Sequence, residues 1–308
     1  DPPAMSADTA ARVGVVGLGS MGDGMARSLL RAGVATWGFD VAPERVAAFA
    51  EAGGRTGELA TVAGEIDALV LVVVNAAQTE AVLFGEAGCA HALRPGTVVM
   101  GCATVPPGDA EGVERRLAAR GVHYLDAPIS GGAAKAAAGE LSVMASGTAE
   151  AFAAAQPLLD AMAAKVFRLG ERAGPASAMK MVNQLLAGVH IAAAAEAITF
   201  GLRHGLDPAT TIDVISECAG SSWMFENRGP HIRDGDYTPR SAVEIFVKDL
   251  GLVEDMARAA RFSAPLAGAA LQQFLAAAGA GHGREDDAAV AKIYARNAGL
   301  TLPGDDGR

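Results

Sequence analysis

A chain of 308 residues is long enough for two domains. Half of its residues are hydrophobic but only 5% are aromatic, so small side chains fill the interior, as suits closely packed helices. A formal net charge of −10 with no Lys/Arg run excludes a nucleic-acid surface, and three scattered cysteines, Cys89, Cys102 and Cys218, exclude a disulfide framework or a cysteine metal site and fit a reducing cytoplasm.

The opening "DPPAMSADTAAR" has no apolar core, so residues 1–11 are expected to be a disordered lead-in rather than a secretory signal. Short β-branched runs follow at 12–17, 35–40, 67–74, 97–102, 122–129, 141–147 and 165–170. Helical segments at 21–32, 43–52, 106–120 and 148–163 separate most of them. Apolar strands alternating with helices predict a mostly parallel sheet covered on both faces, an α/β Rossmann-type domain over residues 12–173.

The first strand-to-helix turn reads "VVGLGSMGDGMARSLL" and contains Gly17-Leu18-Gly19-Ser20-Met21-Gly22. This is GxGxxG in its full context, after a strand and opening a helix. Gly17 permits the tight turn, Gly19 lets the backbone approach a pyrophosphate, and Gly22 lets helix and strand pack closely. Asp40 ends the second strand, 18 residues after Gly22, where a carboxylate accepts from both ribose hydroxyls and repels a 2′-phosphate. The nearest arginine, Arg45, lies inside the following helix, so NAD is expected rather than NADP.

Two more loops fall at the carboxyl ends of strands, where open α/β sheets bind ligands. They carry Asn75, just past the 67–74 strand, and Thr104, just past the 97–102 strand. Each has two readings that are not exclusive, helix cap and cofactor contact. In "DAPISGGAAKAAAGEL", Ser130-Gly131-Gly132 forms a loop whose backbone N–H groups and hydroxyl can hold a substrate carboxylate, or an ordinary flexible turn.

From Gly174 onward the pattern is helical, predicting an all-α domain over 174–301 with a short tail at 302–308. One long helix runs about 30 residues from Pro175, a rod of about 45 Å, and joins the two halves. Its apolar stretch, 185–202, is interrupted by His190 and Glu196 and reads as a buried core helix, so no membrane is expected. Further helices are predicted at 208–218, 242–260, 264–278 and 286–298. Lys180, Asn183 and Gln184 fall at i, i+3 and i+4 on one face of the long helix. That face should lie near the Ser130-Gly131-Gly132 loop. A lysine whose pKa is lowered there can act as a general base.

Taken together these segments resemble the β-hydroxyacid dehydrogenase family, which includes 3-hydroxyisobutyrate dehydrogenase and tartronate semialdehyde reductase. "GLGSMGDGMARSL" resembles its dinucleotide signature, "DAPISGGAAKAAAGEL" its substrate signature, "GERAGPASAMKMVNQ" its catalytic segment and "FVKDLGLV" its lysine motif. The resemblance implies NAD-dependent oxidation of a small hydroxyacid. It implies Lys180 as acid/base, Asn183 as a substrate-orienting residue and Ser130, Gly131 and Gly132 as carboxylate holders. Asn75, Thr104 and Lys248 would contact cofactor, and Asp249 would lie near the pocket. Two positions depart from the family pattern. Ala176 stands where a glycine is usual, and Ser241 stands where a phenylalanine often precedes the Lys-Asp pair. Ser241 suggests a pocket wall suited to a more hydroxylated substrate, and the stretch 221–251 resembles a subgroup acting on four-carbon sugar acids. A homodimer or homotetramer is expected from the alanine-rich helical domain, with no metal. A non-catalytic NAD-binding module is the competing class, opposed by the intact Lys180 and Asn183.

Overall fold

The computed structural model describes residues 11–305, so the lead-in expectation for 1–11 lies almost wholly outside the described residues, as does the end of the tail. The chain divides into two units, one reaching Lys180 and one beginning at Met181.

The first unit is built from β1 (Arg12–Val16), α1 (Gly22–Arg31), β2 (Ala35–Phe39), α2 (Pro43–Glu51), α3 (Leu59–Val62), β3 (Ala68–Leu71) and α4 (Ala76–Phe84). It continues with β4 (Val98–Gly101), α5 (Pro107–Ala118), β5 (His123–Asp126), β6 (Ile129–Ser130), α6 (Gly132–Ala138), β7 (Leu141–Ser146), α7 (Ala149–Met162) and β8 (Ala163–Gly170). The strands run in the order β2-β1-β3-β4-β5-β7, with β6 and β8 both paired to β7. From β2 to β5 every pairing is parallel. The parallel strands are mostly apolar because both faces are covered, and Val13, Val15, Leu69, Val70, Val98, Met100 and Leu125 are all buried.

Beyond β5 the sheet changes direction. β7 is antiparallel to both β5 and β6, and it meets β5 at a single pair, Asp126 opposite Ser146. The predicted strand 122–129 is therefore two strands, interrupted at Pro128, whose missing N–H cannot extend a ladder. The predicted loop after Ser130 continues into α6, which packs on α1. The Ser28 hydroxyl donates to the Ala136 carbonyl at 3.0 Å. At Gly24 the backbones come so close that a Cβ would sit 2.7 Å from the Ala137 nitrogen.

The second unit contains most of α8 (Pro175–Arg203), then α9 (Pro208–Ser216), α10 (Trp223–Asp234), α11 (Val243–Ala259), α12 (Pro265–Ala277) and α13 (Ala291–Ala298). By length and composition α8 could cross a membrane, but half of its most apolar stretch is buried in the protein. Its inward residues Ile191, Ala195 and Ile198 join a core with Phe246, Leu250, Phe274 and Val290.

Helix α10 has no counterpart in the sequence reading, because its internal Gly229-Pro230 pair looks like a breaker. Tertiary bonds hold it instead. Arg228 makes a buried bidentate pair with Asp287, at 2.6 and 3.0 Å, and His231 Nδ1 lies 2.8 Å from Asp286 Oδ2. The same two aspartates delay the last helix. Residues Asp287–Val290 form a tight 3₁₀ turn and α13 starts at Ala291, not at 286. Leu302, at the start of the expected tail, is buried in this unit's core.

Candidate active site

The glycine loop between β1 and α1 is shaped by contacts that no other residue could make. Gly17 has φ +95°, and a Cβ there would fall 2.2 Å from the Val72 carbonyl oxygen. A Cβ on Gly22 would lie 1.7 Å from the Gly17 oxygen. Gly19 differs, since a Cβ there would meet only the tip of Arg45, at 3.9 Å. The loop thus leaves an open cradle over Gly19 at the start of α1, where no side chain caps the helix. Leu18 is buried beneath this cradle, Ser20 is exposed and Met21 takes the N-cap position. These residues fit the diphosphate of a dinucleotide, which a helix N-terminus stabilises.

Asp40 lies at the end of β2, its carboxylate held by the Leu18 N–H at 2.7 Å and the Ala42 N–H at 2.9 Å. Burial raises its pKa, but the N–H groups of Ala42 and Leu18 and the positive charge of Arg45 outweigh this and hold it below the ordinary carboxylate value. The Arg45 guanidinium comes back from the first turn of α2 to 3.5 Å from Asp40 Oδ2. Sequence reasoning set Arg45 aside. Its position i+5 from Asp40, in the first turn of α2, was the available signal.

Asn75 is the N-cap of α4, its Oδ1 accepting from the Gln78 N–H at 2.9 Å while Gln78 Oε1 accepts from the Val74 N–H at 2.8 Å. The capping reading of Asn75 is therefore realised. Thr104 is not a cap, because Pro106 occupies the N-cap position of α5. It sits half-buried in the open segment before that helix.

Ser130 closes β6, and Gly131 and Gly132 follow with φ of +133° and +78°. This backbone is strained for any residue with a side chain. The start of α8 is bound to the strands that flank this loop. Asp126 Oδ2 accepts from the Gly174 N–H at 2.9 Å and the Ser177 N–H at 3.0 Å, and its Oδ1 accepts from the Ser177 hydroxyl at 2.7 Å. Opposite Asp126, the Ser146 hydroxyl accepts from the Ala176 N–H at 3.0 Å. Asp126 is fully buried, and desolvation raises its pKa although Ser177 and Gly174 donate to it. With the helix fixed in this way, Lys180 is buried and its Nζ donates to the Ile129 carbonyl at 2.8 Å, one residue before Ser130.

In the second unit, α8 faces α11 through polar groups. Gln184 Nε2 donates to Asp249 Oδ2 at 2.6 Å, and Asn183 Nδ2 donates to Gln184 Oε1 at 2.9 Å. Lys248 Nζ lies 2.9 Å from Asp249 Oδ1. Asp249 and Gln184 are both buried. Ser241 precedes α11 and is bound to the Asp286-Asp287 turn, where the Asp287 N–H donates to its carbonyl at 2.7 Å. Its hydroxyl also donates to the Asp287 carboxylate, whose pKa burial nevertheless raises despite the Arg228 pair.

The structure therefore brings Lys180 beside the segment leading into Ser130, and links Asn183 through Gln184 to Asp249, which Lys248 also meets. Asp126, Ser146 and Ser177 are the residues that the sequence did not disclose, while Gln184 was placed on the right helix face but given no role. Nothing local marks the first three, since their partners lie 30 to 51 positions away.

Residues 12–170 match the family described as the NAD binding domain of 6-phosphogluconate dehydrogenase. Residues 174–294 match that described as NAD-binding of NADP-dependent 3-hydroxyisobutyrate dehydrogenase. The chain is 56% identical over 293 residues to an L-threonate dehydrogenase of Cupriavidus necator, covering 95% of this chain and 98% of that one. It is 53% identical over 294 residues to the L-threonate dehydrogenase of Escherichia coli strain K12, covering 95% and 96%. Among solved structures, the crystal structure of a 3-hydroxyisobutyrate dehydrogenase from Salmonella typhimurium is similar with a TM-score of 0.88, at 53% identity over 92% of this chain and 99% of that one.

Proposed function

This chain belongs to the β-hydroxyacid dehydrogenase family, and from that premise we propose that its substrate is L-threonate, oxidised to 2-dehydro-L-erythronate. It is an NAD-dependent dehydrogenase of a small hydroxyacid. The observation that carries the site assignment is Lys180, a buried lysine held on the Ile129 carbonyl beside the Ser130-Gly131-Gly132 loop.

In this reading Gly17, Leu18, Gly19, Ser20, Met21 and Gly22 cradle the diphosphate, Asp40 takes the adenosine ribose, and Asn75, Thr104 and Lys248 hold the nicotinamide half. NAD, held by these residues, would supply the hydride acceptor for the carbinol carbon. Ser130 and the N–H groups of Gly131 and Gly132 hold the substrate carboxylate. Lys180 Nζ receives the hydroxyl proton as that oxygen becomes a carbonyl, and returns a proton in the reverse direction. The Ile129 carbonyl fixes Nζ in place, since an amine and an ammonium both donate to it. Asn183 orients the substrate, backed by Asp249 through Gln184, and Ser241, its hydroxyl committed to Asp287, keeps its wall small.

Relatives of nearly equal identity carry two names, L-threonate and 3-hydroxyisobutyrate dehydrogenase. Ser241, in place of a bulky apolar residue, favours the polyhydroxy acid. An NAD-reduction screen over C3–C6 hydroxyacids and sugar acids of both stereochemical series decides between them. The kcat/KM should be highest on L-threonate, by about tenfold or more over 3-hydroxyisobutyrate, the scale of one pocket contact. The reverse order sinks the substrate assignment.

NAD should bind at least about 100-fold more tightly than NADP, because Asp40 opposes a 2′-phosphate. Asp40→Ser should narrow that gap, leaving Arg45 at the same edge without its carboxylate. Fluorescence titration with each dinucleotide measures both, and equal affinities for the native protein would discard the role given to Asp40.

The outward face of α8 carries Val182, Leu186, Ala193, Ala197 and Phe200 at helical spacing, all exposed. We assign this stripe to self-association as a homodimer or homotetramer. The three unpaired cysteines suit a cytoplasmic enzyme.

A further inference from the structure

Asp249 is 1% exposed, and its carboxylate can only accept hydrogen bonds. It therefore dictates which end of the Gln184 amide turns towards it, the Nε2, at 2.6 Å. With Nε2 so used, Gln184 must present Oε1 to Asn183, and Asn183 must answer with Nδ2, at 2.9 Å. The negative charge on α11 thus sets the polarity of two successive amides on α8. With one Nδ2 hydrogen committed to Gln184, Asn183, only half-buried, keeps the acceptor Oδ1 on the other arm of its amide.

We propose that Gln184 is a positioning residue that relays the polarity of Asp249 to Asn183, so that Asn183 Oδ1 accepts from a substrate hydroxyl. This rests on the reading that Asn183 orients substrate. An acceptor at this point recognises a hydroxyl group and repels a carboxylate. It therefore selects polyhydroxy acids over acids lacking the second hydroxyl. Gln184 does not touch substrate, and its effect runs through the orientation of Asn183.

The test uses the full-length enzyme and whichever hydroxyacid the native protein turns over fastest, so an error in naming the substrate does not affect it. Gln184→Met keeps the packing volume and removes the relay. The KM for the hydroxyacid should rise about tenfold, the value of one well-oriented hydrogen bond, with the KM for NAD unchanged. The ratio of kcat/KM between that acid and its analogue lacking one hydroxyl should fall by the same factor. On an Asn183→Ala background the same substitution should add nothing. Asp249→Asn should weaken the preference, because its amide can serve Gln184 in either sense. The double variant Gln184→Glu with Asp249→Asn should restore it, since the carboxylate introduced on α8 accepts from both Asn183 and the new amide. Thermal unfolding of each variant separates loss of fold from loss of orientation. A Gln184→Met enzyme with native KM and native preference overturns the proposal, as does a double variant no better than Asp249→Asn alone. If Asn183→Ala itself has native KM, the underlying reading of Asn183 is what fails.

Discussion

Lys180→Met is expected to lower kcat by about 10³-fold, within the range for loss of a positioned acid/base, while NAD binding stays at its native value. Methionine fills nearly the same buried space, so the packing of α8 survives and only Nζ disappears. Nothing else in this stretch of α8 can replace it, because its neighbours Met179 and Met181 have no ionisable group. Lys180→Arg should fail almost as badly. A guanidinium keeps the charge but does not give up its proton in proteins, so this variant separates base from mere counter-charge. Steady-state turnover on the best hydroxyacid and fluorescence titration with NAD are the two measurements. An arginine variant with near-native kcat would show that charge, and not proton transfer, is what position 180 supplies.

Asp126→Ala should destabilise the protein by about 3–5 kcal/mol, the scale for removing one side of a buried charged network. It strands the Gly174 and Ser177 N–H groups and the Ser177 hydroxyl, all of them buried. Asp126→Asn should cost less than about half as much. Its Oδ1 can accept from the two N–H groups and its Nδ2 can donate to the Ser177 hydroxyl, which also accepts. What asparagine forfeits is the charge at a helix N-terminus, worth up to about 2 kcal/mol, and what it avoids is the desolvation that raises the native pKa. A carboxyl with a raised folded pKa binds its proton more tightly when folded. Its contribution therefore favours the fold at low pH and declines as pH climbs from the ordinary carboxylate value of 3.8 to the raised one, staying flat above. Urea unfolding between about pH 3.5 and about pH 7 should show that decline in the difference between the native protein and the asparagine variant, where the other carboxylates cancel. An asparagine variant as unstable as the alanine one would mean that the charge itself holds α8.

What could be read in advance was whatever leaves a local trace. The β1–α1 turn declares itself because three glycines, a strand and a helix occupy adjacent positions, and Asp40 stands at a fixed interval beyond. The parallel strands are legible as apolar runs, since each is buried on both faces. Helix α10 is not legible, because its proline and glycine argue locally against a helix that Arg228 and His231 stabilise through distant aspartates. Pro128 splits a strand that composition alone would extend. Asp126 reads as an ordinary strand end, and only folding brings it to the helix start 48 positions later. Ala176 departs from the family pattern without consequence for the packing. Its side chain is fully buried and its N–H is satisfied by Ser146, so a methyl group is simply accommodated there.

Gly24 gives the glycine loop a second allegiance. The helix that begins at this glycine loop touches, backbone to backbone, the short helix that follows Ser130-Gly131-Gly132. Any side chain at position 24 would push these two helices apart. The working unit of sequence is therefore longer than GxGxxG, and a phosphate loop transplanted from another dinucleotide-binding protein would have to bring this fourth glycine with it.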